Sequence, residues 1–136
     1  MKKLEGTLTA LPPSINKLYK NNRWGGRILS PEAKKFSVAA KLTLSKKWAF
    51  EEGLTPNEPY ALSLTFFMPR VVNAGWPNTK ARFKKQDVTN YIKLLEDVIC
   101  EVCGIDDSCF MRVNVAKCED PENPRIEITI EEVELS

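Results

Sequence analysis

The stretch from Lys84 to Asp107, KKQDVTNYIKLLEDVICEVCGIDD, constrains the fold more than any other part of the chain. Ile92, Leu95, Ile99 and Val102 recur at three- and four-residue steps, which predicts an amphipathic helix with one stripe turned to a core. Asn90, Lys93 and Asp97 recur on the opposite side. Thr89 is the expected N-cap, and Gly104 stands where a helix stop is expected. Asp87 then lies at the mouth of the helix, and Asp106 and Asp107 lie just past its C-terminal end. A helix of about 13 residues spans roughly 20 Å. The two acidic ends therefore come near each other only if the chain doubles back along the helix.

The remaining elements follow from period and punctuation. Leu4 to Leu11 reads as a strand ended by Pro12-Pro13. Pro12, Pro13, Ser14 and Asn16 read as an irregular turn, and Trp24-Gly25-Gly26-Arg27 as the tip of a tight hairpin. Ser30-Pro31-Glu32 is a helix start, with a capping hydroxyl, proline in the first turn and an acid at the positive dipole end. That helix is expected to run to about Glu52, with Gly53 ending it and Phe36, Ala40, Leu44 and Trp48 facing the core. Tyr60, Leu62, Leu64, Phe66 and Met68 alternate strictly as a strand. Cys109, Met111, Val113 and Val115 alternate as another. Asp120 to Pro124 reads as a turn, and Ile126, Ile128 and Ile130 as the inward side of a last strand. Glu131 to Ser136 reads as an acidic, frayed end. The order predicts an α+β fold, one mixed sheet with two helices on one face, in a single domain over residues 1–136.

Net charge is +2, but the two halves differ sharply. Residues 1–86 carry 16 Lys and Arg against 5 Asp and Glu, whereas residues 87–136 carry 4 against 13. The basic half points to a polyanionic partner. Lys17, Lys20, Arg23 and Arg27, interleaved with Tyr19 and Trp24, have the make-up of a nucleic-acid contact surface. Residues 69–86 carry Arg70, Lys80, Arg82, Lys84 and Lys85 with no acid among them. A loop of that length in a small domain is usually functional or disordered. No apolar run reaches membrane length and no signal peptide is visible, so a cytoplasmic protein with no membrane partner is expected.

Histidine is absent, which excludes serine–histidine and cysteine–histidine nucleophiles and the histidine zinc motifs. Any phosphate chemistry falls to carboxylates and a metal, with lysine in support. Cys100 and Cys103 form a CxxC, but Cys109 and Cys118 are spaced wrongly for a zinc ribbon and the first pair falls within the helical pattern. Reduced cysteines used as small apolar residues are the simpler reading.

The segment DVTNYIK, followed by the GIDD step, resembles the core motif of the RusA family of Holliday junction resolvases, and LPPSINKLY resembles that family's N-terminal signature. The resemblance covers roughly residues 8–130. It implies a homodimeric, Mg²⁺-dependent endonuclease, with Mn²⁺ a possible substitute, that cuts four-way junction DNA symmetrically and uses no nucleotide cofactor. The family motif reads D-x-D-N-x-x-K. By position, Asp87 matches its first acid, Asn90 its asparagine, Lys93 its lysine and Asp107 the distal acid, while Asn16 belongs to the N-terminal signature. Asp87, Lys93 and Asp107 are then the implied catalytic residues, and Asp87, Asp106 and Asp107 the implied metal ligands. Thr89 departs from the motif, standing where a second acid is usual. A hydroxyl is a weaker Mg²⁺ ligand than a carboxylate, and Asp106 is the nearest replacement charge. Two other functions compete: a junction-binding protein that does not cut, with Thr89 marking a decayed site, and a zinc-stabilised module using the four cysteines.

Overall fold

The computed structural model describes residues 2–9, 19–21, 27–84 and 88–135. The elements are β1 (Lys3–Leu8), β2 (Tyr19–Asn21), β3 (Arg27–Leu29), α1 (Pro31–Lys47), β4 (Tyr60–Met68), α2 (Thr89–Cys103), a 3₁₀ turn (Asp107–Cys109), β5 (Phe110–Glu119) and β6 (Arg125–Glu132). A mixed four-stranded sheet runs in the order β1-β6-β4-β5, as the α+β reading requires. Only β4 and β5 are parallel, and α2 is the crossover between them. The hairpin strands β2 and β3 pair with each other in a separate two-stranded sheet rather than joining the main one. The hairpin tip at Trp24 lies outside the described residues, as do Pro12 and Pro13. No helix among the described residues is long and apolar enough to cross a membrane.

One face of the sheet carries the core. Tyr60, Leu62, Leu64, Phe66 and Met68 of β4 project into it with Ile126, Ile128 and Ile130 of β6 and Leu4 and Leu8 of β1. Both helices pack against these residues. The expected inward residues of α1 (Phe36, Ala40, Leu44, Trp48) are all buried. The helix starts as its sequence dictates: Ser30 Oγ accepts from Ala33 N at 3.1 Å, and proline occupies the first turn.

It ends five residues earlier than its sequence suggests. Trp48 leaves the helical path as the C-cap, and its indole Nε1 donates to the Glu5 carbonyl of β1 at 2.9 Å. A tertiary hydrogen bond outweighs the helix propensity of the residues that follow. The acidic end is also more structured than expected. β6 includes Glu131 and Glu132, and Val133 N donates to Pro59 O at 3.1 Å.

Gly6 lets α1 lie close on β1. A Cβ at this position would sit 2.9 Å from Leu44 Cδ2 and 3.1 Å from Trp48 Cζ2. Leu44 is fully buried and the Trp48 ring is tethered by its hydrogen bond, so neither yields easily. Gly6→Ala is expected to cost roughly 1–3 kcal/mol by overpacking. Denaturant unfolding would measure the change in midpoint, and an unchanged midpoint would mean that the contact opens freely.

Candidate active site

The site is laid out by α2 and by the turn that follows it. α2 is more broadly apolar than a single stripe. Tyr91, Leu94 and Val98 are buried along with the expected Leu95 and Ile99, while Ile92 and Val102 lie at the margin. The helix is wedged between α1 and the sheet, so a wider arc is covered. Phe66 and Tyr91 pack ring on ring, 6.0 Å between centroids. The expected Thr89 cap is not used. Val88 is the N-cap residue, its side chain makes no capping hydrogen bond, and Thr89 is the first helical residue. Val88 is buried, so packing rather than a capping hydroxyl fixes this boundary. Asn90 follows in the same first turn.

At the other end, Gly104 adopts a left-handed conformation with φ 69°. Gly104 N and Ile105 N both donate to Cys100 O, at 2.8 and 3.2 Å. Only glycine takes this backbone shape cheaply. Ile105 is buried and pulls the chain back towards the helix. Asp106 then caps the 3₁₀ turn, its Oδ2 accepting from Ser108 N at 3.0 Å. Ser108, through its hydroxyl first and its N–H second, holds the Asp106 carboxyl below the usual range. One oxygen of Asp106 is thus committed to the turn.

The chain after α2 folds back along the helix as far as Lys93 and Asp97, while Asp87 lies outside the described residues. Lys93, in the second turn of α2, reaches Asp107 with Nζ to Oδ2 at 3.0 Å. The same Nζ lies 3.0 Å from Asp97 Oδ1, one turn further along the helix. Asp107 first and Asp97 second hold the Lys93 ammonium above its ordinary pKa by hydrogen bonding and charge. Lys93 is therefore held as a cation and can donate. Its side chain is 61% exposed and that of Asp107 42%, so a phosphate can approach from solvent. Glu96 and Cys100 border the pair. Burial first and the Asp107 charge second raise the Glu96 carboxyl, and the same two causes push the Cys100 thiol up to about 11. Sequence reading assigned no role to Asp97 or Glu96, although the four-residue step from Lys93 to Asp97 marks a facing pair on a helix.

Asp87 lies outside the described residues, and among the described residues no three Asp, Glu, Cys or His side chains are placed to share a metal. The four cysteines are free. They do not converge, and burial pushes Cys103 up to about 12, which leaves that thiol neutral at pH 7. Cys109 belongs to the 3₁₀ turn rather than to the strand. Met111 and Val113, which alternate in the sequence with Cys109 and Val115, are exposed, because β5 is an edge strand whose register slips opposite Tyr60 and Ala61.

The basic loop is built rather than structureless. Val72 and Phe83 form a β-bridge. Asn73 N donates to Arg82 O at 2.8 Å and Lys84 N to Val71 O at 2.9 Å. Asn73 Nδ2 also donates to Ala81 O at 2.7 Å. Arg70, Lys80, Arg82 and Lys84 are all exposed. Trp76 and Phe83 are exposed beside them, and the Arg82 guanidinium stands 5.2 Å from the Phe83 ring centre. The loop's returning arm ends at Lys84, three residues before Asp87. Lys20 and Arg27 are placed by their backbones in β2 and β3. Asn16, Lys17, Arg23 and Lys85 lie outside the described residues.

These features define an α+β domain whose crossover helix offers a lysine between two carboxylates and is preceded in the chain by a basic, aromatic loop. The chain belongs to the RusA family: the family model described as Endodeoxyribonuclease RusA matches residues 10–131, and that family consists of endodeoxyribonucleases that resolve Holliday junctions. No curated protein matches the chain.

Proposed function

We propose that residues 1–136 form one Mg²⁺-dependent endonuclease domain that resolves four-way DNA junctions by symmetric cleavage, working as a homodimer. The observation that carries this reading is the return of Asp107 to Lys93, which puts an acid and a cation at one exposed point in a chain of this family. The donor set suits the metal. Carboxylate oxygens are the ligands Mg²⁺ prefers, and one or two of them suffice when substrate phosphate and water complete the shell. Asp107 and Asp87 are the residues that would hold it, with Asp106 contributing only its oxygen not used in the turn. When bound, the metal neutralises the phosphate and lowers the pKa of an attacking water. Lys93 donates to a phosphate oxygen and offsets charge that develops there. The exposed cations Arg70, Lys80, Arg82 and Lys84 bind the backbone on either side, with Trp76 and Phe83 available for stacking. A two-fold dimer supplies one such site for each of the two symmetric strands.

Thr89, exposed at the first position of α2, supports a second reading in which the chain binds junctions without cutting. A synthetic four-way junction separates the two. Paired symmetric nicks are expected with Mg²⁺ or Mn²⁺ and none with EDTA, and sedimentation is expected to show two chains per junction. Tight binding with no nicks under any divalent cation favours the second reading. A single chain on the junction removes the dimer.

A further inference from the structure

Lys93 has two anionic partners, and only one of them belongs to the motif. Asp107 is the distal acid proposed above as a metal ligand. Asp97 has no assigned role, yet its Oδ1 is as close to the ammonium as Asp107 Oδ2 is, at 3.0 Å. The two contacts differ in kind. Asp97 is one turn from Lys93 on the same helix, so the backbone keeps the two side chains within reach of each other. Asp107 reaches across from the 3₁₀ turn.

We infer that Asp97 is the positioning residue for Lys93, holding its ammonium over the site when Asp107 is engaged elsewhere. This rests on the reading under Proposed function. A carboxylate that takes up a divalent cation loses most of its attraction for a neighbouring ammonium, and the cation itself repels that ammonium. Lys93 then keeps Asp97 alone. A lysine side chain has a flexible four-carbon stem and substantial rotamer entropy. Released by both carboxylates, it would spread through solvent and seldom face the phosphate. Held by Asp97, it stays on the same side of α2 as Asp107. Asp97 touches neither substrate nor reacting atoms in this account and acts through Lys93. An ordinary surface pair, by contrast, would support the helix slightly and leave turnover alone.

The test uses the full chain and two readouts. In the first, the ¹⁵N-lysine ammonium signal of Lys93 is followed while Mg²⁺ alone is added. In the wild type the signal is expected to shift but remain that of an ordered, paired ammonium. In Asp97→Ala it is expected to collapse to the position of a free lysine at saturating Mg²⁺. A Lys93 signal indifferent to Mg²⁺, or one that stays ordered in Asp97→Ala, overturns the inference. In the second, junction cleavage is compared in Asp97→Ala, Asp97→Glu, Lys93→Ala and the double Ala variant. Misplacing a group that acts on the phosphate costs on the order of tenfold to a hundredfold. Asp97→Ala is therefore expected to lower kcat by about that factor with KM and Mg²⁺ affinity unchanged, Asp97→Glu to recover most of it, and the double variant to match Lys93→Ala alone. A loss that persists in the Lys93→Ala background, or a weaker Mg²⁺ affinity in Asp97→Ala, shows that Asp97 acts without Lys93 and overturns the inference. If the wild type cuts no junction, the endonuclease reading fails, while the ammonium signal still decides whether Asp97 holds Lys93.

Discussion

Asp107→Asn is expected to abolish junction cleavage, at least about a thousandfold in kcat, while junction binding stays intact or tightens. The substitution keeps the shape and one acceptor oxygen, so the 3₁₀ turn retains its packing. What is lost is the charge proposed to attract a divalent cation and one of the two anions that face Lys93 at 3.0 Å. Several kcal/mol of transition-state stabilisation depend on neutralising the phosphate and activating water, and each 1.36 kcal/mol is tenfold in rate. Binding is proposed to rest on lysines and arginines elsewhere, and removing an anion near a phosphate is expected to help it slightly. The turn is anchored by buried Ile105 and Cys109 rather than by Asp107, so Tm should hardly change. Asp87→Asn is expected to behave alike. Wild-type cutting by Asp107→Asn, with binding and Tm preserved, would take the acid out of the mechanism and the site with it. Lost binding together with a lowered Tm would indicate a folding defect instead.

Removing the charges of the basic loop is expected to have the next largest effect. Arg70, Lys80, Arg82 and Lys84 project from a frame held by backbone bonds and by Asn73, with Asn73 N to Arg82 O at 2.8 Å and Lys84 N to Val71 O at 2.9 Å. The frame's hydrogen bonds come from backbone groups and Asn73, and the one cation stacked on it is Arg82 over the exposed Phe83 ring, so replacing all four with Ala should largely keep the loop's shape. Each lost phosphate contact lowers the slope of log affinity against log salt by about 0.9. Four contacts would flatten the slope by about 3.6 and weaken junction binding by orders of magnitude at low salt. Binding titrations across a salt series measure both. Unchanged affinity and slope would place the DNA on another surface, with the hairpin that carries Arg27 as the next one to vary.

The parts of the fold that were legible are those where local chemistry and burial agree. Strict alternation located β4 to the residue, and Ser30-Pro31 located the start of α1, because a cap and a proline act within one turn. The isoleucines of β6 are all inside because that strand is paired on both edges. Legibility failed where distant contacts decide. Trp48 ends α1 for the sake of a carbonyl on β1. Val88 displaces Thr89 as the cap because it is buried. Met111 and Val113 alternate like core residues, yet sheet order sets them on an open edge. For the site, motif spacing singled out Lys93 and Asp107, but their meeting depends on a left-handed residue and a buried isoleucine whose joint effect no periodicity displays. Asp97 passed unassigned because a lysine–aspartate step on a helix is ordinary until a second carboxylate is found on the same ammonium.

Three residues separate the last residue of α2 from Asp107, and each is fixed by a different force. Gly104 sets the direction by its backbone, Ile105 is sunk in the core, and Asp106 ties the next turn. The linker has no slack. Lys93, Asp97 and Asp107 owe their meeting to a count of residues along one strand–helix–strand unit, not to the docking of separate parts. A single residue gained or lost after Cys103 would put the acid out of step with the lysine.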